Sequence, residues 1–210
     1  MSVRRISVKA SMLLALGAWL TLLVACGGGD KAPSETPSAG QTPSTRETPS
    51  PGGDAAAFSL TSEAFKNGET IPTRYTCDGE NVSPPLAWDG APAETNAYAL
   101  IMDDPDAPGG TFTHWLLYDL ESTALSLPEG IETVPMPAYG LAGTQGSNDG
   151  GGIGYTGPCP PPGDPHRYNF TVYALGETVA LEPGATKDEL LAAMEGHVLA
   201  EAQLVGRYGR

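Results

Sequence analysis

From residue 58 onward the chain is a series of short apolar runs separated by proline and glycine clusters. Residues 58–61, Phe-Ser-Leu-Thr, alternate with the period of a half-buried strand. Residues 71–75 and 98–102 are the second and third strand candidates. Residues 113–120 are the fourth, apolar nearly throughout, as a strand buried on both faces requires. Residues 167–175 form the clearest strand: Tyr168, Phe170, Val172 and Ala174 alternate with Asn169, Thr171 and Tyr173. One helix is predicted. Thr186 and Glu189 form a capping box, and Leu190, Leu191 and Met194 then supply an apolar face that Gly196 can end. Residues 200–208 read as a closing strand with Ala202 and Leu204 on one side, although their alanine content also suits a helix. The pattern predicts a mostly-β domain, a two-sheet antiparallel sandwich, with one helix near the C-terminus.

The first 25 residues have another pattern. Arg4, Arg5 and Lys9 precede an apolar run, residues 12–25, that is short for a membrane span. The run ends Leu-Val-Ala before Cys26, which has the form of a lipobox. Residues 1–25 are therefore expected to be a lipoprotein signal peptide, with Cys26 acylated as the mature N-terminus. Residues 26–57 are rich in Gly, Pro, Ser and Thr, and Glu-Thr-Pro-Ser occurs at both 35–38 and 47–50. Such a segment is expected to be a disordered tether. About 30 residues of flexible chain span on the order of 30 Å. The expectation is a domain of residues 58–210 anchored at the outer face of the cytoplasmic membrane or at the outer membrane.

The formal net charge is −14. Removing the signal peptide takes away three of 11 basic residues and none of the 25 acidic ones, which leaves −17. Such a surface repels nucleic acid at long range and argues against it as a partner. An anion site on this chain has to be local. Cys77 and Cys159 remain after Cys26, an even number in an exported chain, which leaves a Cys77–Cys159 disulfide or two free, buried thiols.

The candidate chemistry lies in two stiff loops. Residues 103–111 carry Asp103, Asp104 and Asp106, with Pro105 and Pro108, and lead to His114. The glycine-rich segment 140–163 leads through Pro160, Pro161 and Pro162 to His166, Arg167 and Tyr168. Proline fixes φ and restricts the residue before it, so both loops should be rigid. If the two strands are neighbours, the histidines and carboxylates meet at one rim. Gly154 and Gly157 would then offer backbone N–H groups to an anion, and a carboxylate behind each imidazole would fix its tautomer.

These residues resemble the phosphatidylethanolamine-binding protein family. The resemblance rests on Asp104-Pro105-Asp106-Ala107-Pro108, His114, Gly157-Pro158 and His166-Arg167-Tyr168. Residues 77–88 and 197–202 are similar to its bacterial Raf-kinase-inhibitor-like branch (YbhB/YbcL type). The resemblance covers essentially all of 58–210. It implies a β-sandwich with a small anion pocket at one end, for phosphate-, phosphorylethanolamine- or acetate-like ligands. By position, Asp104 and Asp106 match the pocket aspartates, Pro108 the rigid proline and His114 the first histidine. Gly157 matches a backbone N–H donor, and His166 and Tyr168 the second histidine and the pocket tyrosine. Arg167 lies between them and, by strand alternation, should face the other way. The sequence departs from the eukaryotic pattern at Cys159. It also ends at Arg210 without the C-terminal helix that borders the pocket in some members.

Three functions follow as expectations. The first is a membrane-tethered binding module for a small anionic or phosphorylated ligand. The second is an inhibitor or regulator of an extracytoplasmic kinase or peptidase. The third is an enzyme using an Asp–His pair as acid and base; no nucleophile, metal or cofactor motif accompanies that pair, so no catalytic residue is assigned. The three aspartates do not form an EF-hand, because Pro105 and Pro108 interrupt it and no bidentate glutamate follows. The serines lack a Gly-x-Ser-x-Gly elbow. Neither a metal nor a cofactor is expected.

Overall fold

The structure, a computed structural model, describes residues 57–137 and 143–210. The signal peptide, Cys26, nearly all of the tether and the first residues of the glycine-rich segment lie outside the described residues. The elements in chain order are β1 (Ser59–Thr61), β2 (Leu86–Asp89), β3 (Ala97–Asp104), β4 (Phe112–Glu121), β5 (Ser126–Leu127), β6 (Thr144–Gln145), β7 (His166–Leu175), α1 (Lys187–Met194) and β8 (Val198–Tyr208). All strand pairings are antiparallel. A small sheet has the order β1-β2-β5 and a large one β6-β4-β3-β7-β8.

The period-2 pattern divides the large sheet between two cores. Tyr98, Leu100 and Met102 of β3 face the sandwich interior with Phe170 and Val172 of β7. They pack there with Leu60, Leu86, Trp88 and Leu127 of the small sheet. The intervening Ala97, Ala99 and Ile101 face the other way, with Leu116 and Tyr118 of β4, and are covered by Leu190 and Met194 of α1. This is why β3 and β4 read as almost unbroken apolar runs.

Helix α1 begins at the expected capping box: the Thr186 side chain accepts from the Glu189 N–H, and the Glu189 carboxylate accepts from the Thr186 N–H. Gly196, at φ +82°, lies just beyond its end. Leu191 does not share the buried face; it is exposed, while Leu190 and Met194 are buried. Residues 71–75 are not a strand. Pro72 leads into a 3-10 turn, Thr73–Tyr75. Before it, the Ile71 N–H and the Glu69 carbonyl bond to Arg207 of β8, so this stretch covers the β8 edge as irregular chain. Three short strands, β2, β5 and β6, were not foreseen.

Two register shifts interrupt the β3–β4 ladder. Tyr98 pairs with Leu120 but Leu100 with Leu117, an extra residue on β4. Asp119 absorbs it at φ +55°, and its carboxylate accepts the N–H groups of Val179 and Ala180 at 2.8 and 3.1 Å. At the other end Met102 pairs with Trp115 and Asp103 with Thr113, which makes His114 the unpaired residue of a β-bulge.

Candidate functional site

Strand alternation should put Phe112 and His114 on one face of β4 and Trp115 on the other. The bulge changes this. Phe112 and His114 line a cavity at the end of the sandwich, and Trp115 packs into the sandwich core on the same side of the sheet. From β7, His166 reaches the same end, and Asp104 reaches it as the last residue of β3. The cavity holds about 210 Å³. Pro108, from the loop after β3, forms one part of its wall, and Gly157, Cys159, Pro160 and Pro161 form another.

Both imidazoles are fixed from behind through Nδ1. His166 Nδ1 lies 2.7 Å from Asp104 Oδ2. The other Asp104 oxygen accepts the Asp106 N–H at 2.8 Å, which closes the turn after β3. Asp104 is almost fully buried, so its carboxylate depends on these two donors for the solvation it has lost. His114 uses a backbone group instead: its Nδ1 donates to the Thr156 carbonyl at 2.8 Å. The Thr156 N–H donates back to the His114 carbonyl at 3.0 Å, so strand and loop are clamped in both directions. The expected carboxylate behind each ring therefore exists for His166 only. His114 is 5 % exposed, and burial pulls its pKa below the usual histidine value. The Thr156 carbonyl and the Asp104, Asp103 and Asp149 carboxylates oppose that shift.

Tyr168 does not line the cavity. It is fully buried, with its ring edge-on to His114 at 5.2 Å, and it supports that ring from below. Its hydroxyl has no hydrogen-bond partner among the described residues, and burial together with the nearby Asp104 raises its pKa. Asp106 does not line the cavity either. It chelates Arg167, with Nε to Oδ2 at 2.9 Å and Nη2 to Oδ1 at 2.6 Å, and also accepts the Arg167 N–H. These bonds hold its carboxyl well below the usual carboxylate range. Arg167 faces away from the pocket, as alternation predicts, and anchors the rim through Asp106.

Gly157 lines the cavity, but its N–H is not free. It donates to Asn81 Oδ1 at 2.8 Å, and the Gly154 N–H donates to the Gly146 carbonyl at 3.1 Å. The expected backbone nest for an anion is thus already occupied by protein acceptors. Gly157 is required for another reason: a Cβ there would meet the Tyr75 carbonyl and Asn81 Oδ1 at 2.6 Å.

The Cys77–Cys159 disulfide is formed, with Cα atoms 5.4 Å apart. It ties the cavity wall to the 77–81 loop that carries Asn81. A further support, with no signal in the sequence, is Gln145. Its Oε1 accepts from Trp115 Nε1, and its Nε2 donates to the Glu132 and Val134 carbonyls, all at 2.7 Å. Trp115 in turn packs edge-on against Tyr155 at 5.5 Å. Gln145 sits in a two-residue strand within a glycine-rich segment, where periodicity carries no signal. His197 is half-exposed and lies 3.0 Å from Glu177, away from the pocket. Among the described residues, no group of His, Cys, Asp and Glu has the arrangement of a metal site.

A family model described as phosphatidylethanolamine-binding protein matches residues 61–209. A UPF0098 protein of Methanothermobacter thermautotrophicus is 51 % identical over 153 residues, 73 % of this chain and 99 % of that protein. One from Aquifex aeolicus is 48 % identical over 157 residues, 74 % of this chain and 90 % of that protein. Among solved structures, a phosphatidylethanolamine-binding protein homologue of Chlamydia trachomatis matches with a TM-score of 0.67 and 41 % identity, covering 73 % of this chain and 98 % of that one. Escherichia coli YbcL matches with a TM-score of 0.67 and 32 % identity, covering 74 % and 99 %. With the family model spanning nearly all the described residues and the two-sheet fold shared with these structures, the chain belongs to the phosphatidylethanolamine-binding protein family.

Proposed function

We propose that residues 58–210 are a binding module for a small oxyanion, with a phosphate monoester such as phosphorylethanolamine as the best-fitting class, and that a lipid on Cys26 tethers it outside the cytoplasm. The observation that supports this most directly is the convergence of two Nδ1-anchored imidazoles on one small cavity. Anchoring leaves each ring one edge for a ligand and removes its rotational freedom beforehand, so less entropy is lost on binding. Phe112 and the prolines make the rest of the wall apolar and rigid. The family's name denotes phosphatidylethanolamine, whose headgroup combines a phosphate ester with an ammonium. In this reading the phosphate meets the histidines and the ammonium end meets Asp104. In this reading the module binds without turnover, and Cys159, the sulfur in its wall, is held in a disulfide and supplies no thiolate nucleophile.

Phosphorylethanolamine at millimolar concentration should shift the imidazole NMR signals of His114 and His166, and His114→Ala should remove the response. Unchanged ring signals at that concentration refute the proposal.

A further inference from the structure

We propose that oxyanion binding in this cavity is proton-coupled: the complex holds one proton, on the ligand or on a ring, that a phosphate dianion and the free protein do not. This rests on the binding-module reading above and adds the protonation state of the ligand to it.

The inference comes from counting donors. The Thr156 carbonyl oxygen behind His114 can only accept, so His114 Nδ1 carries the hydrogen. The Asp104 carboxylate imposes the same tautomer on His166. A neutral imidazole protonated at Nδ1 has a bare Nε2, which is an acceptor. In their neutral forms both rings that line the cavity therefore present acceptors to a ligand that also accepts. Other donors are scarce. No lysine or arginine lines the cavity among the described residues, and Pro108, Pro160 and Pro161 have no N–H. The Gly157 N–H is held by Asn81 and the Thr156 N–H by His114, which leaves the Thr156 hydroxyl and the Ala107 and Cys159 N–H groups, all uncharged, as the remaining donors of the lining residues. Asp104 adds a negative charge to the wall. A dianion entering this site faces a carboxylate and two lone pairs, with only uncharged donors to set against them. One proton turns a lone-pair repulsion into a charge-assisted hydrogen bond.

The surroundings of His114 divide between favouring and resisting that proton. His114 is faced by Asp103 and Asp104 from β3, by Asp149, and by the Tyr168 ring from β7, while its burial resists a charge. His166 is faced by Asp104, lies next to the Asp106–Arg167 pair, and is paired in register with Tyr208 of β8. A monoprotonated phosphate monoester brings its own donor and needs no change in either ring. The site should thus favour the monoanion of a phosphate ester over an oxyanion that has no proton.

Calorimetric titration of the full chain tests this, with phosphorylethanolamine from about pH 5.5 to about pH 8.5, spanning the second phosphate pKa of about 6. Running each titration in two buffers of different ionisation enthalpy counts the protons. The expected result is uptake of about one proton per ligand above roughly pH 7, with affinity falling about tenfold per pH unit there. Sulfate, which carries no proton in this range, is expected to bind more weakly at about pH 6 and to take up about one proton where it does bind. Affinity independent of pH without proton uptake overturns the coupling and leaves the binding module standing. Sulfate binding equally tightly without uptake does the same. Ethanolamine alone binding as tightly as phosphorylethanolamine also overturns it, because the cavity then reads the ammonium end. No heat and no change in ring signals at any pH refutes the binding module itself.

Discussion

Replacing both Cys77 and Cys159 by serine should cost several kcal/mol while leaving the native shape intact. The disulfide closes a loop with a sequence separation of 82. The chain-entropy relation gives roughly 15 cal/mol/K for such a loop, or about 4.5 kcal/mol near room temperature, and native bonds typically contribute about 2–4 kcal/mol. The folded state has its own links across the same seam. The Cys77 N–H donates to the Pro158 carbonyl at 3.1 Å, Asn81 holds Gly157, and Asp78 Oδ2 accepts from the Tyr208 hydroxyl at 2.7 Å. The loss should therefore come mainly from a freer unfolded chain. Thermal unfolding should show a Tm lower by on the order of 10 °C. The urea dependence should steepen, because an uncrosslinked unfolded chain exposes more surface. The buried Trp88 and Trp115 report the transition by fluorescence. A double variant within about 0.5 kcal/mol of the parent, against the 2–4 kcal/mol expected, refutes the reasoning. A collapsed native spectrum would show that the three hydrogen bonds do not hold the wall without the sulfur bridge.

Three further outcomes are expected. Asp119→Ala should destabilise by about 2–3 kcal/mol in urea, since it removes the acceptor for two backbone N–H groups and places a poorer residue at positive φ; Asp119→Asn should keep a substantial part of that stability. Gly206→Ala should cost about 1–3 kcal/mol, because its Cβ would lie 2.4 Å from Ile71 Cγ1 and 2.6 Å from Ile71 Cδ1; Ile71→Ala, which removes both atoms, should cost less in the Gly206→Ala background than in the parent. Asp106→Asn should lower Tm near neutral pH, where the depressed carboxyl is ionised and bound to Arg167; this contribution is present above the unfolded value near 3.8 and fades as pH falls below it, so the parent and variant curves should converge in acid. A Tm difference that stays constant down to strongly acidic pH refutes the Arg167 assignment.

Where pattern and chemistry are local, the sequence alone determined the result. The alternation of Tyr168, Phe170, Val172 and Ala174 depends only on a strand having a buried face, and β7 formed as read. The capping box at Thr186 needs four consecutive residues and no partner. The sequence placed the two histidines, Asp104 and Asp106 at one rim; His114, His166 and Asp104 line one cavity with Pro108, while Asp106 holds Arg167 instead. Other features exist only because distant segments meet. A two-residue strand such as β5 or β6 is defined by the neighbour it bonds to. The bulge that turns His114 toward the cavity is a mismatch between two strands and has no signature in either one alone. Asn81 takes the Gly157 N–H across 76 residues, and Thr156 rather than a carboxylate fixes His114. A hydrogen bond between remote groups depends on orientation to within a few tenths of an ångström, and only the packed chain sets that. The sequence named the residues around the pocket; the tertiary structure decided which of their donors remain free for a ligand.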